Sequence, residues 1–194
     1  MKPTNPYGNT KYVIEKFLKD ISLNSKNKWN IINLRYFNPI GADPDSVIGE
    51  NPASYKNNIY PLILDVALRR IDKFVIFGND WNTKDGTCVR DYIHINDLAD
   101  SHIRALEYIL ENRPNFLNLN IGTGKGTSVL ELINTFEEIN KVRIPYVYGH
   151  RREGDLESVI ADNKLAKEIL NWTPQKDLAD MCRDGWNWVR NIEL

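Results

Sequence analysis

Helical and extended segments alternate along the 194-residue chain, which predicts an α/β or α+β fold. Helices are indicated by apolar residues recurring at intervals of three and four, and strands by short apolar runs between turn residues. Two loops rich in glycine, proline and asparagine, residues 37–58 and 78–86, interrupt this pattern. Loops of this size in a small protein favour a ligand site over a purely structural role.

The order of the elements follows from the changes in periodicity. The first helix is predicted over residues 7–23 because five apolar residues share one face, namely Val13, Ile14, Phe17, Leu18 and Ile21. The other helices are predicted, in chain order, over residues 59–71, 97–111, 128–140, 164–170 and 179–192. The strands are predicted over residues 30–36, 73–77, 92–95, 116–121 and 143–148.

Composition excludes several classes of function. The chain has 25 Lys+Arg against 26 Asp+Glu, a formal net charge of -1, and no long basic block, so we expect no nucleic-acid partner. Pro61 and Asp65 interrupt the longest mainly apolar stretch, residues 59–68, which is shorter than the ~18 residues that span a bilayer. We therefore expect no membrane partner.

The two cysteines, Cys88 and Cys182, are too few for a disulfide framework. Neither lies in a Cys/His cluster, so no metal site is expected. The first residues lack the apolar segment of a secretory signal. These features predict a cytoplasmic protein without a metal.

Tyr7 and Lys11 stand at the start of the first predicted helix. A spacing of four places the phenol and the ammonium on one face, where the cation can stabilise a phenolate. Such a pair can act as a general base, although ordinary surface packing explains most Tyr and Lys pairs of this spacing. Context must decide between the two interpretations.

The segment from Arg35 to Ala42 is a strand that runs into a Gly/Pro turn. Ordinary turn chemistry explains it, but Asn38 offers both a donor and an acceptor, as sugar hydroxyls require. Further along, Arg90 lies beside Asp91, where it suits either phosphate oxygens or a structural ion pair. His94 alternates with apolar neighbours and is predicted to be a packed strand histidine.

Two more motifs allow a structural and a functional interpretation. Residues 122–126, GTGKG, lie between a strand and a helix, but the GxGxG spacing and the missing acidic residue argue against a dinucleotide loop. Tight turning explains these glycines. Residues 151–155, RREGD, could clamp a diphosphate with Arg151 and Arg152 while Asp155 takes a ribose hydroxyl, or could be a solvated charged loop.

Taken in order, these motifs resemble the UDP-glucose 4-epimerase family of the extended short-chain dehydrogenases/reductases. The segments that carry the resemblance are NPYGNTK, LRYFNPIGA, residues 57–61, FGND to VRDYIH, NIGTGKG, RREGD and residues 181–188. They cover essentially the whole chain. The Asp85-Gly86-Thr87 loop is the specific part, because related decarboxylases and dehydratases have a shorter connection there.

The resemblance implies reversible NAD-dependent oxidation at sugar C4, which interconverts UDP-glucose and UDP-galactose. Tyr7 then takes the proton of the sugar 4-hydroxyl, and Lys11 holds the nicotinamide ribose. Tyr36 and Pro39 flank the nicotinamide. The implied substrate-binding residues are Asn38 and Asn58 near the sugar and phosphates, Val75 and Phe77 by their backbone at the uracil, Arg90 and Arg152 at the diphosphate, and Asp155 at the uridine ribose.

The implied architecture is α/β, with a remnant of a Rossmann-type parallel sheet and a smaller α/β substrate-binding domain. Residues 1–40 would be the C-terminal piece of the NAD-binding domain, and residues 41–194 mainly the UDP-sugar-binding domain, with some segments returning to the sheet. Only six residues precede Tyr7, whereas one βαβ unit needs ~30. We therefore expect most of the NAD-binding half to be absent.

Three functional hypotheses follow. The chain is part of an epimerase that is active only when complete, with a homodimer as the expected assembly. Alternatively, it is a catalytically inactive UDP-sugar-binding fragment, or another NAD-dependent sugar-nucleotide modifier such as a decarboxylase. Val159 occupies the position where the family carries a bulky Tyr in forms restricted to UDP-glucose and UDP-galactose, so we expect N-acetylated UDP-hexoses to be accepted as well, unless Val159 is a plain core residue.

Overall fold

The computed structural model describes residue 3 and residues 5–23, 29–51 and 58–193, with the side chain of residue 193 excepted. The helices are α1 (Pro6–Ser22), α2 (Ile59–Ala67), α3 (Ile95–Asn112), α4 (Val129–Asn140), α5 (Lys164–Leu170) and α6 (Leu178–Glu193). The strands are β1 (Ile31–Tyr36), β2 (Asn38–Ile40), β3 (Phe74–Phe77), β4 (Val89–Arg90), β5 (Tyr92–His94), β6 (Phe116–Ile121), β7 (Thr127–Ser128), β8 (Tyr146–Gly149) and β9 (Ser158–Val159).

Strand pairing is mainly parallel. β1 pairs with β6, β2 with β5, β3 with β8 and β4 with β9 in parallel, whereas β4 and β7 are antiparallel. Helices lie between successive parallel strands, as parallel pairing requires. This arrangement confirms the predicted α/β class.

Two separate groups of buried side chains form the interior. One group packs α3 and α5 against the β1–β6 sheet through Ile93, Leu98, Ala105, Leu119, Ile121, Ala166, Leu170 and Trp172. The larger group joins α2, α4 and α6 to β3, and its aromatic members include Tyr60, Phe74, Phe136, Trp186 and Trp188. The chain therefore has two cores, one at the β1–β6 sheet and one among α2, α4, α6 and β3.

Helix α1 begins at Pro6, one residue before the predicted start. The Asn5 side chain caps it by accepting a hydrogen bond from the Gly8 amide at 2.7 Å, and Pro6 occupies the first turn. Glu15 then binds Arg35 of β1 with both carboxylate oxygens, at 2.7 Å from Nε and 2.5 Å from Nη2. This bidentate pair holds α1 to one face of the sheet.

The structure differs from the sequence prediction in one short strand and in the ends of two other elements. β2 lies inside the segment predicted as a loop, because its backbone pairs with β5. Helix α2 ends at Ala67, four residues before the predicted end, and the nearby Arg69 has a left-handed backbone with a φ of 59°. Strand β8 starts at Tyr146, directly after Pro145.

Within the described ranges, every helix is too short or too polar to span a bilayer.

Candidate active site

Tyr7 and Lys11 are displayed on the exposed side of α1. The Tyr7 side chain is 71% exposed, and the Lys11 Nζ atom lies 5.3 Å from the centre of its ring. The two side chains thus share one face, as their spacing requires. Both groups remain open to a ligand that approaches the start of α1.

The basic turn at residues 151–155 lies next to the start of this helix. A methyl group placed on Gly154 would stand 4.0 Å from Cβ of Asn5, the residue that caps α1. Gly154 has a φ of 81°, a backbone conformation that favours glycine. The fold therefore brings the Tyr7–Lys11 helix and the RREGD turn to one place.

Arg90 is held at this turn by three oxygen atoms. Its Nη1 donates to the backbone carbonyls of Val89 and Leu156, both at 2.8 Å, and its Nη2 lies 3.5 Å from Oδ1 of Asp155. These contacts fix the guanidinium, whose planar geometry suits phosphate oxygens. Arg90 and Asp155, predicted separately from the sequence, thus lie in direct contact.

Asp91 does not pair with Arg90, because its carboxylate is used elsewhere. Its side chain is fully buried and accepts hydrogen bonds from the Thr123 amide and hydroxyl, the Gly124 amide and the Ala161 amide. The structural ion pair between sequence neighbours is therefore excluded. Asp91 also explains the GTGKG turn, whose amides bind this carboxylate as a dinucleotide loop would bind a phosphate.

Arg151 and Arg152 have different surroundings. The Arg151 guanidinium lies 4.0 Å from the centre of the Trp81 ring and binds Asp80 through Nε at 2.7 Å. The Arg152 guanidinium lies 3.8 Å from the centre of the Phe77 ring. Since Phe77 is a predicted uracil contact, Arg152 sits next to the predicted uracil site, whereas Arg151 is engaged by a separate pair of partners.

The strand that carries Val75 and Phe77 lies beside the same turn. β3 pairs with β8, which ends at Gly149, just before the RREGD residues. Val75 is 38% exposed and Phe77 is half-buried. This edge therefore presents backbone and apolar surface next to Arg152.

Val159 is placed within the same group of residues. It lies in β9 directly opposite Arg90 of β4 and is half-buried. A side chain at this position stands one strand from the predicted diphosphate contact. The role of Val159 in sugar selection stays a prediction.

Asn38 lies next to Asp91, the residue that follows Arg90. Its amide donates to the Asp91 carbonyl at 2.9 Å, so Asn38 lies beside the residue that follows Arg90. Its side chain is half-buried, and the next residue, Pro39, is exposed. Both lie at the carboxyl end of β1, where ligands of open parallel sheets usually bind.

Tyr36 is directed to the other face of β1. Its hydroxyl lies 2.5 Å from Nε2 of His102 on α3, whereas the preceding residue, Arg35, contacts α1. Successive side chains of a strand alternate between faces. A contact between Tyr36 and a ligand on the Tyr7 side would therefore involve its backbone rather than its ring.

Asn58 contacts Glu50 rather than Arg90 or Asp155. It is exposed, precedes α2, and its Nδ2 lies 3.5 Å from Oε1 of Glu50. Asn57 and residues 52–56 lie outside the described part of the chain. Within the described part, no hydrogen bond joins Asn58 to Arg90 or Asp155.

Other titratable groups of the site are unsuited to act as ionised nucleophiles. Burial raises the pKa of the Cys88 thiol and of the Tyr92 phenol, so both stay protonated at neutral pH. The Tyr92 hydroxyl is buried and has no hydrogen-bond partner among the described residues. The exposed Tyr7 phenol beside Lys11 is the better candidate for proton transfer.

His94 has the structural role predicted for it. Its side chain is completely buried, and its Nδ1 accepts a hydrogen bond from the Asn96 amide at the start of α3. Within the described ranges, no three or more His, Cys, Asp or Glu side chains are grouped so that they could hold a metal ion.

Comparison with known proteins identifies relatives of the whole chain. A family model described as GDP-mannose 4,6 dehydratase matches residues 1–185. A UDP-glucose 4-epimerase of Oryza sativa subsp. japonica is 47% identical over 189 residues, which are 97% of this chain and 51% of the relative. The chain thus spans about half the length of the curated relatives it matches.

Two solved structures show the same backbone. The UDP-glucose-4-epimerase of Stenotrophomonas maltophila, with bound NAD and formylated UDP-arabinopyranose, has a TM-score of 0.93 at 44% identity. The match covers 97% of this chain and 56% of the Stenotrophomonas maltophila chain. The enzyme of Bifidobacterium longum, in complex with NAD+ and UDP, has a TM-score of 0.92 at 37% identity. The match covers 98% of this chain and 56% of the Bifidobacterium longum chain.

Proposed function

The chain belongs to the GDP-mannose 4,6 dehydratase family, and on that premise we propose that it supplies the Tyr-Lys helix and the UDP-sugar site of a UDP-glucose 4-epimerase. The complete enzyme would interconvert UDP-glucose and UDP-galactose. One observation carries the proposal: a methyl group on Gly154 would stand 4.0 Å from Cβ of Asn5, so the RREGD turn, which includes the Arg90 partner Asp155, lies near the start of the helix that bears Tyr7.

The substrate is proposed to bind along the contacts of this turn. Arg90 and Arg152 would neutralise the diphosphate, and the Val75–Phe77 backbone would meet the uracil beneath the Arg152 guanidinium. Asp155 would receive the uridine ribose. The resemblance adds Asn38 and Asn58 near the sugar and phosphates.

Tyr7 is the proposed general base. Its phenol would take the proton of the sugar 4-hydroxyl during oxidation and return it during reduction. The adjacent Lys11 ammonium would stabilise the phenolate by charge and hold a ribose hydroxyl of the cofactor. Both side chains are exposed on one face, which permits this arrangement.

The resemblance assigns four residues to the nicotinamide end of NAD. Tyr7, Lys11, the Tyr36 backbone and Pro39 would hold it at the carboxyl end of β1. When bound, NAD supplies the hydride acceptor and donor for reversible oxidation at sugar C4. The glycine turn at residues 122–126 does not fit the pyrophosphate, because its amides bind Asp91.

We also propose the division into residues 1–40, the C-terminal piece of an NAD-binding domain, and residues 41–194, mainly a UDP-sugar-binding domain. The core at the β1–β6 sheet takes its buried residues from positions 93–172, with Ile32 and Leu34 packed against it, so segments beyond residue 40 contribute to the sheet unit. The pairing of β6 with β1 supports the return of a later segment to the sheet. The resemblance supports a homodimer for the complete enzyme, and the small number of cysteines supports a cytoplasmic location.

Turnover of UDP-galactose tests the proposed function. The chain alone should bind UDP but show no conversion with added NAD, whereas the chain assembled with an NAD-binding half should convert UDP-galactose to UDP-glucose. Conversion by the chain alone would contradict the need for a second half. UDP binding without conversion in the assembled protein would favour an inactive UDP-sugar-binding module.

A further inference from the structure

The segment Asp85-Gly86-Thr87 ends the loop that leads into β4. None of its side chains is among the proposed ligand contacts. Thr87 is completely buried. Gly86 has a φ of 78°, and a methyl group placed on it would overlap the Asn79 carbonyl oxygen. The chain therefore makes a tight turn between Asp85 and Thr87 that requires a glycine.

The Asp85 carboxylate joins this turn to the start of α4. Its Oδ1 accepts hydrogen bonds from the Thr87 amide at 2.9 Å and the Thr87 hydroxyl at 2.8 Å, and its Oδ2 accepts one from the Ser128 hydroxyl. Partial burial raises the pKa of Asp85, but the hydrogen bonds from Ser128 and Thr87 outweigh it and lower the pKa below its ordinary value. Asp85 is therefore ionised at neutral pH and can accept all three hydrogen bonds.

The two residues that Asp85 binds are themselves attached to α4 and to β4. The Ser128 hydroxyl oxygen accepts the Glu131 amide at 3.0 Å and so caps α4. The Thr87 hydroxyl oxygen accepts a second amide of α4 at 3.3 Å. Ser128 also lies directly opposite Val89 in the antiparallel pair of β7 and β4. One carboxylate thus connects the loop, the start of α4 and β4.

Arg90 takes its orientation from the same strand. One of the two carbonyl oxygens that bind its Nη1 belongs to Val89, and the other belongs to Leu156. The Arg90 side chain is only 17% exposed, so these contacts determine its direction. Because Val89 is paired with Ser128, a shift of Ser128 displaces a carbonyl that orients the guanidinium.

We propose that Asp85 is a positioning residue of the UDP site: its carboxylate binds Thr87 and Ser128 and thereby fixes β4 where the Arg90 guanidinium meets a diphosphate. The inference rests on the proposed function and adds a residue that acts through Arg90. The charge of Asp85 cannot itself favour the ligand, because a carboxylate repels a diphosphate. Any contribution of Asp85 to UDP affinity must therefore come from geometry.

Calorimetric titration of the 194-residue chain with UDP tests the proposal. Asp85→Ala should lower the UDP affinity about three- to tenfold, because the Arg90 guanidinium is displaced rather than removed. Uridine, which lacks the diphosphate, should bind the parent and the variant equally in an NMR titration, whereas general damage to the fold would weaken both ligands. Asp72→Ala removes another exposed carboxylate and should leave both affinities unchanged.

A double-mutant cycle with Arg90→Ala tests whether Asp85 acts through Arg90. Once the Arg90 side chain is absent, Asp85→Ala should cause no further loss of UDP affinity. Thr87→Val removes the buried hydroxyl at nearly constant volume and should weaken UDP binding, whereas Thr87→Ser keeps the hydroxyl and should retain most of the affinity. Thermal unfolding verifies that each variant is folded at the temperature of the titration.

The outcomes separate this proposal from the proposed function. Unchanged UDP affinity of folded Asp85→Ala, equal losses for UDP and uridine, or additive effects in the cycle each overturn the positioning role and leave the proposed function intact. If Asp85→Ala does not fold, Asp85→Asn decides by the same criteria, because it keeps an acceptor for Thr87 and loses the one for Ser128. A parent chain that does not bind UDP overturns the proposed function, and the positioning role with it.

Discussion

The Nε2 atom of His94 lies 3.2 Å from Oδ2 of Asp184, which joins β5 to α6 inside the protein. Because the Nδ1 atom accepts the Asn96 amide, the proton of the neutral ring belongs on Nε2, where it is donated to Asp184. Burial lowers the pKa of His94 and outweighs the opposing effect of the carboxylate. The imidazole is therefore neutral in the folded protein at neutral pH.

This depressed pKa predicts loss of stability in mild acid. The unfolded chain takes up a proton near the ordinary histidine pKa of ~6.5, and the folded chain only at lower pH. The stabilisation is thus complete above about pH 6.5 and is lost as the pH falls through the folded pKa. The urea midpoint should fall from pH 7.5 to pH 5.5, and by less in His94→Asn, which keeps a capping side chain for α3. Equal falls in both proteins would exclude His94 as the cause.

Asp91→Ala should destabilise the fold strongly. The substitution leaves the amides of Thr123, Gly124 and Ala161 without their acceptor, and a hydrogen bond to a charged group is worth about 1.5–3 kcal/mol. We expect a loss of about 3 kcal/mol, or roughly 6–12 °C in Tm for a chain of this size. Thermal unfolding measures it, with the exposed Asp72→Ala as the control. A change within 1 °C would contradict the role of Asp91.

Arg90→Ala should weaken binding of UDP. A charge-assisted contact contributes roughly 1.5–3 kcal/mol, which corresponds to about a ten- to hundredfold change in affinity. Calorimetric titration of the chain with UDP measures this change directly. Arg143→Ala is the matched control, since that guanidinium is 90% exposed and pairs with Glu137. Equal UDP affinities for Arg90→Ala and the parent would mean that Arg90 only holds Asp155 and the neighbouring carbonyls.

Tyr7→Phe should remove proton transfer in the assembled enzyme while leaving UDP affinity nearly unchanged. General acid-base catalysis typically contributes about 10² to 10⁴ in rate, so the turnover number should fall by that factor. Steady-state kinetics with UDP-galactose gives the value. Tyr12→Phe, further along the same helix, should keep the parental rate. A Tyr7→Phe rate within threefold of the parent would remove Tyr7 from the mechanism.

Val159 should permit N-acetylated UDP-hexoses to enter the site of the assembled enzyme. Its short side chain stands opposite Arg90, and the resemblance implies an aromatic ring at this position in the forms restricted to UDP-glucose and UDP-galactose. One methylene in a pocket changes discrimination by ~1 to 3 kcal/mol, and a ring is a larger obstacle. Val159→Tyr should therefore suppress epimerisation of UDP-N-acetylglucosamine selectively. Rejection of that sugar by the parent enzyme would show that the pocket argument is wrong.

The long elements could be predicted from the sequence because apolar periodicity determines them locally. β6 and α5 occupy the predicted residues, and α1 differs by one residue at each end. Four strands of two or three residues, β2, β4, β7 and β9, could not be predicted. They exist because their backbones pair with distant segments, which leaves no periodic pattern in so few residues.

Prediction of the site from the sequence was limited in the same way, because contacts within one helix could be predicted and contacts between distant segments could not. The spacing of Tyr7 and Lys11 on one helix was sufficient to place them on one face. The partner of Arg90 could not be derived, because Asp91 is its neighbour in sequence while Asp155 is brought to it by the pairing of β4 with β9. Only the fold distinguishes the two carboxylates, and it also assigns Asp91 to the glycine turn.

The attachment of α1 to the sheet has a consequence for the lifetime of the helix in the isolated chain. No side chain of α1 is buried. Among the described residues, the ion pair between Glu15 and Arg35 connects α1 to β1. Local opening of α1 therefore exposes little new apolar surface, so its free energy lies well below that of global unfolding. Proteases that require an unwound substrate should cut within α1 first, and dissolved salt, by screening the ion pair, should hasten that cleavage.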